Sequence, residues 1–243
     1  MNPRDPEQEQ PQARPPALAE RRFAEVREQL RGLSAREIFD YIHRNNLWGS
    51  PESLSGLGSQ LDATARLRAE LPLLFERFGI RTLLDIPCGD FSWLSTAQLR
   101  IERYIGADIV PAIIAQNAER FRDSHPFAEF RRLDLTHDPL PSGDALLCRD
   151  CLVHLPFASI AQTFQNMSRS QIHYAILTTF VGDRVNADIE LGDWRPLNFE
   201  KPPFCLPPPE MILLEGCTEE AGAYADKALG VWSVEKLKSQ FSH

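Results

Sequence analysis

The sequence predicts an α/β fold: a Rossmann-like, doubly wound sheet of about seven strands, mostly parallel, closed by a β-hairpin and preceded by a helical extension. Three observations predict it. Short apolar runs alternate with helical stretches from residue 82 to residue 180. The runs Ile105 to Ile109 and Ala145 to Leu147 are nearly continuously apolar, as strands covered on both faces must be. Asp85, Asp108 and Asp134 stand at or near the ends of three successive strands, where an open parallel sheet binds its ligand.

Taken in order, residues 1–18 are rich in Pro, Glu and Gln with little to bury, which predicts a disordered tail. Residues 19–79 read as N-terminal helices with a possible active-site flap. Phe23, Val26 and Leu30 recur at helical spacing, as do Ile38, Tyr41 and Ile42, and Ser34 with Glu37 forms a capping-box pattern between the two sets. The stretch Trp48 to Ser59 is either a connector whose glycines make turns or a flap with Trp48 as an apolar lid and Ser55 to Ser59 as donors. A helix over about 62–78 follows.

Residues 80–243 make the core. Strands are expected at 82–85, 103–108, 129–134, 144–148 and 174–180, with helical stretches around 92–99, 111–121 and 156–168. Residues 181–209 hold too many prolines for a helix and read as an excursion on the substrate side. Two closing strands are expected at 210–214 and 228–234.

Composition bounds the function. A chain of 243 residues can bury a sizeable core, and 43% apolar with 25% charged residues is that of a globular protein. The formal charge of −8 and the absence of a long Lys/Arg run weigh against a nucleic-acid surface. Five scattered cysteines, with no apolar leader before them, argue against a disulfide framework, and no run approaches the ~18 apolar residues of a membrane span. A cytoplasmic protein is the expectation.

The turn Leu84-Asp85-Ile86-Pro87-Cys88-Gly89-Asp90-Phe91 organises the site. A strand ending in an acidic residue and a glycine turn presents free N–H groups to a crevice. Asp108 lies 23 residues after Asp85, about one βαβ unit, where a carboxylate can accept both hydroxyls of a ribose. A pyrophosphate needs several glycines, whereas Pro87 and Phe91 stand where glycines are expected, so the site suits a nucleoside without a pyrophosphate.

These residues, with Gly106-Ala107-Asp108-Ile109, Leu133-Asp134-Leu135 and Asp144-Ala145-Leu146-Leu147-Cys148-Arg149-Asp150, resemble the ordered motifs of class I S-adenosylmethionine-dependent methyltransferases, over about residues 60–180. The resemblance implies S-adenosylmethionine as cofactor. It implies Asp85 and Gly89, with Pro87 and Cys88, at the amino-acid end, Asp108 on the ribose beside Ile109, Asp134 on the adenine amino group and Leu135 on the adenine face. Trp48 and Ser59 of the flap would complete that site. Arg149 and Asp150 would line the methyl-transfer chamber, with Arg149 touching cofactor and substrate. The usual Gly-x-Gly-x-Gly turn keeps only Gly89, and packing of the turn against the flap would explain its shape.

His154 follows the fourth strand on the substrate side and is either a proton acceptor or a packed histidine. Asp150 is the second candidate for the catalytic proton. Trp194 and Arg195 are the expected substrate pair, an aromatic wall beside a cation. Cys148 and Cys151 form a Cys-x-x-Cys without a second pair, so no metal is expected. The predicted activity is methyl transfer to an O or N nucleophile of a small molecule or saccharide, with no nucleic-acid or membrane partner. An NAD-dependent reductase on a similar fold and a non-catalytic S-adenosylmethionine-binding module are the alternatives.

Overall fold

A computed structural model describes residues 15–241. The helices are α1 (Leu18–Leu30), α2 (Ala35–Arg44), α3 (Ala65–Phe78), α4 (Pro111–Arg120), α5 (Phe157–Arg169), the single turn α6 (Glu219–Gly222) and α7 (Val234–Phe241). The strands are β1 (Thr82–Asp85), β2 (Arg103–Asp108), β3 (Ala128–Arg132), β4 (Gly143–Cys148), β5 (Ile172–Phe180), β6 (Met211–Leu214) and β7 (Lys227–Ser233). They form one seven-stranded sheet in the order β3-β2-β1-β4-β5-β7-β6. Its first five members are parallel, and β7 runs antiparallel to both β5 and β6. The chain winds outward from β1 through β2 to β3, then restarts at β4 on the other side of β1. That reversal opens a crevice beyond the carboxyl ends of β1 and β4.

Both faces of the central strands β1, β2, β4 and β5 are covered, which explains their apolar runs, whereas the edge strands β3 and β6 are partly exposed. Leu83, Leu147 and Ile176 point to one layer, where Leu67, Leu71, Leu74 and Phe75 of α3 pack. Leu84, Leu146 and Leu177 point to the other, against Ile160 and Phe164 of α5. Each such side chain contributes about 1.5–3 kcal/mol of burial. In α2, Ser34 caps with the expected reciprocity: its N–H donates to Glu37 Oε2 at 2.8 Å, and the Glu37 N–H donates back to Ser34 Oγ.

Some expectations need correction. The helix expected over 92–99 is only a 3-10 turn, Leu94–Thr96. The Ser95 and Thr96 hydroxyls donate to the carbonyls of Ser92 and Trp93, competing with a helical ladder. The tail expected over 1–18 lies outside the described residues as far as residue 14. Residues 15–18, however, are docked. Tyr224 Oη donates to the Pro15 carbonyl at 3.0 Å, and Ala17 is buried against Val153, Phe180 and Tyr224. Partners about 140 to 210 residues away in sequence supply the apolar surface that the local composition lacks.

Residues 181–209 contain no helix or strand, yet they belong to the core. Leu197, Phe199 and Leu206 are buried in the α5 layer, and the Gly192 and Arg195 N–H groups donate to the carbonyls of His154 and Val153. Among the described residues no helix is long and apolar enough to cross a membrane.

Candidate active site

The site starts at the end of β1. Asp85 is buried and accepts a hydrogen bond from Tyr104 Oη at 2.6 Å. Burial pushes its carboxyl up to about 7, against the pull of the Tyr104 bond. Gly89 then turns the chain at φ +52°, where a Cβ would overlap Ser55 Oγ, so only glycine lets the flap approach. Phe91 takes a left-handed φ of +55°. Such a conformation costs about 1–2 kcal/mol in a non-glycine residue. Its ring offsets that by packing against Tyr104, Phe121, His125 and Phe130, with centroids 4.4–5.5 Å away.

Asp108, at the end of β2, faces the same turn. Its carboxylate accepts from the Gly89 N–H at 3.3 Å and the Val110 N–H at 2.9 Å. Burial raises its pKa to about 6 in spite of these donors. Asn117 of α4 donates to the Gly89 carbonyl at 2.7 Å and holds the turn from behind.

The stretch 48–59 lies over this crevice. Ser53 Oγ donates to Asp90 Oδ2 at 2.8 Å, and the Asp90 N–H donates to Ser55 Oγ at 3.1 Å. The turn and the serine segment are therefore in direct contact. Trp48 stacks on His154 with ring centroids 4.9 Å apart. One cavity is lined by Trp48, Ser59, Asp85, Pro87, Cys88 and Gly89, and also by Asp108, Ile109, Arg149, Asp150 and His154. Pro87 and Ile109 also line a neighbouring cavity of about 240 Å³ that contains Asp134 and Leu135. Asp134 lies two residues past β3, and its Oδ1 accepts from the Thr136 N–H and hydroxyl.

A charge cluster closes the other end. Arg149 is buried, stacks over the Trp93 ring, pairs with Glu215 at 2.6 Å and donates to the Gly58 carbonyl at 2.8 Å. Asp150, at φ +53°, meets Lys227 Nζ at 2.6 Å and Arg149 at 3.3 Å. Burial alone would raise the Asp150 carboxyl, but Lys227 and Arg149 more than reverse that and hold it at about 2. It therefore stays ionised and binds a proton weakly. His154 is 6% exposed, and burial lowers its pKa to about 4. Its Nδ1 lies 2.8 Å from the Asp193 carbonyl. A carbonyl only accepts, so Nδ1 carries the hydrogen and Nε2 keeps a lone pair.

The expected substrate pair is separated. Trp194 lines a third cavity with Phe180 and Tyr224. Arg195 is a correction: it is buried, and its guanidinium donates to the carbonyls of Leu152, Leu155 and Ala187 at 2.6–3.1 Å. With its donors used on backbone it anchors the 181–209 excursion beneath His154 and cannot clamp an anion. Arg149 likewise spends its donors on Glu215, Asp150 and Gly58, so as a substrate or cofactor contact it offers its stacked face alone.

Sequence reasoning missed Glu215, Lys227 and His43. A lysine opening the apolar strand Lys227–Ser233 signals a buried charge needing partners, and Glu215 directly after Leu214 is its counterpart. His43 of α2 is buried in the cavity wall, and its Nδ1 has no hydrogen-bond partner. Nothing in the local pattern of α2 marks it.

These donors and acceptors fit S-adenosylmethionine. A buried carboxylate at the β2 end suits ribose hydroxyls, Ile109 and Leu135 supply apolar faces for a base, and the orphaned His43 Nδ1 needs a partner from outside the protein. Residues 83–171 match a family model described as a methyltransferase domain. The methyltransferase domain of the bacterial protein CtHen1-C superposes with a TM-score of 0.53 at 12% identity, covering 72% of this chain and 98% of that one, and shares the fold. An S-adenosylmethionine-dependent methyltransferase from Clostridium acetobutylicum aligns at 12% identity with a TM-score of 0.43, covering 52% and 58% of the two chains. No curated protein matches the chain. The matched segment runs from β1 to the loop before β5 and contains the turn, Asp108, Asp134, Asp150 and His154, so this part of the chain is similar to a methyltransferase domain.

Proposed function

We propose that the enzyme methylates an O or N nucleophile of a small molecule or saccharide, with His154 receiving the acceptor's proton. The observation that carries this is the position of His154, which lines both the cofactor crevice and the cavity containing Trp194 while its Nδ1 is engaged by the Asp193 carbonyl. The cofactor supplies an activated methyl: the acceptor's lone pair bonds to the methyl carbon while the carbon–sulfur pair returns to sulfur. The protein's part is to align the two reactants and exclude water.

In this reading Asp108 accepts the ribose hydroxyls, and Asp85 with the turn at Pro87, Cys88 and Gly89 holds the amino-acid end. Asp134 accepts from the adenine amino group, with Ile109 and Leu135 against its faces. Trp48 and Ser59 cover the site. His154 takes the proton in preference to Asp150, because Lys227 and Arg149 already neutralise that carboxylate. Asp150 then acts by holding Lys227 and Arg149 in place.

The test combines calorimetry with S-adenosylmethionine and S-adenosylhomocysteine release with a cell extract as acceptor source. His154→Ala is expected to lower turnover about 10²-fold or more while leaving cofactor affinity within about threefold. Unchanged turnover in that variant would overturn the assignment.

A further inference from the structure

The cavity beside the cofactor crevice has a composition of its own. It measures about 80 Å³, shares Trp48, Ser55, Asp150 and His154 with the crevice, and adds Phe180, Trp194, Tyr224, Lys227 and Glu219. Two independent observations bear on what it accepts.

The first is charge. Asp150 and Glu215 are matched by Lys227 and Arg149, at 2.6 Å in each closest pair. Glu219 is a third carboxylate, and no described cation lies within 4 Å of it. Its side chain accepts from Cys217 Sγ at 3.7 Å and feels Lys227 across the Gly58 backbone without an ion pair to it. Nearby charges are paired elsewhere: Arg21 with Glu220, Arg184 with Asp226, Arg27 with Asp193. The cavity wall itself thus carries two carboxylates, Asp150 and Glu219, against the single cation Lys227, among aromatic rings. The second observation is His154 itself, more than nine-tenths buried, with Nδ1 bound to Asp193 and no described partner on Nε2.

We propose that this cavity is the acceptor site and that its acceptor is a small ammonium ion on an apolar body, so that the methyl goes to nitrogen. The proposal rests on the methyltransferase reading above and narrows it. Glu219 supplies the counter-charge, and the faces of Trp194, Tyr224 and Phe180 attract a cation while covering the apolar body. The ammonium gives one proton to His154 Nε2 and on to water, the nitrogen pair forms the bond to the methyl carbon, and the carbon–sulfur pair stays with sulfur. The product leaves as the methylated ammonium. A neutral saccharide would leave the surplus carboxylate uncompensated beside it.

Calorimetry on the full chain in saturating S-adenosylhomocysteine, with benzylamine, benzyl alcohol and methyl glucoside as probes, tests this directly. Benzylamine is expected to bind at least tenfold more tightly than benzyl alcohol. Glu219→Gln should remove that preference by weakening benzylamine about tenfold, with benzyl alcohol and the melting temperature unchanged, and Glu219→Asp should recover part of it. Equal affinity for amine and alcohol, preferred binding of the glucoside, no binding of benzylamine, or a preference untouched by Glu219→Gln overturns the proposal. S-adenosylhomocysteine affinity is read in a separate titration of each variant without the probes. Its loss would strike at the cofactor assignment, whereas its retention without amine preference strikes at this inference alone.

Discussion

At the scale of single residues, the carboxylates carry the most chemistry. Asp108 accepts two backbone N–H groups and still has its pKa raised to about 6, because burial outweighs them. In the role proposed for it, only the ionised form accepts both ribose hydroxyls, so cofactor affinity should rise with pH through about 6 and level off above it. Calorimetry at pH 5 and pH 8 should differ by roughly tenfold, and Asp108→Ala should abolish measurable binding at both. Glu215 makes a different kind of prediction. Replacing it with Ala leaves the buried Arg149 guanidinium with only Asp150 and the Gly58 carbonyl, at a cost of about 3–5 kcal/mol, or roughly 10 °C in melting temperature. Asp85 and Asp108 were legible in the sequence because strand ends are where such carboxylates matter. Arg195 was misleading for the opposite reason: its partners are backbone carbonyls, which no side-chain pattern records.

At the scale of elements, the strands were readable to within about two residues because the central ones are short apolar runs, too short for helices and bounded by turn residues. The turn after β1 was harder. A phenylalanine with a glycine's backbone holds there only because α4, β2 and β3 bring four rings around it, and those contacts are tertiary. The turn and the flap act together. Gly89→Ala would force its Cβ into Ser55, so cofactor affinity should fall about tenfold or more, and Ser55→Gly in the same chain should restore part of the loss. Full additivity of the two substitutions would show that turn and flap are not coupled. The serine-rich stretch itself could be read as connector or cover, since its hydrogen bonds to Asp90 and Arg149 join segments about 35 and 90 residues apart.

At the scale of the whole molecule, the sheet presents one crevice, and everything outside the sheet converges on its mouth. The first helices arrive from one side, the 181–209 excursion supports His154 from beneath, and the β6–β7 connection brings Glu219. Residues 15–18 seal the outer cavity through Tyr224 and Phe180. Deleting residues 1–18 should therefore raise the acceptor KM about tenfold while changing cofactor affinity less than twofold; the reverse pattern would place that segment over the cofactor instead. Trp48 has the widest consequence. One indole walls both cavities and stacks on the histidine between them, so neither cavity can fill without changing the surface offered to the other. Such sharing is a thermodynamic linkage: whatever factor the cofactor lends to acceptor affinity, the acceptor returns to the cofactor. The same reciprocity holds after the reaction: whatever the spent cofactor does to the product's affinity, the product does to the spent cofactor's.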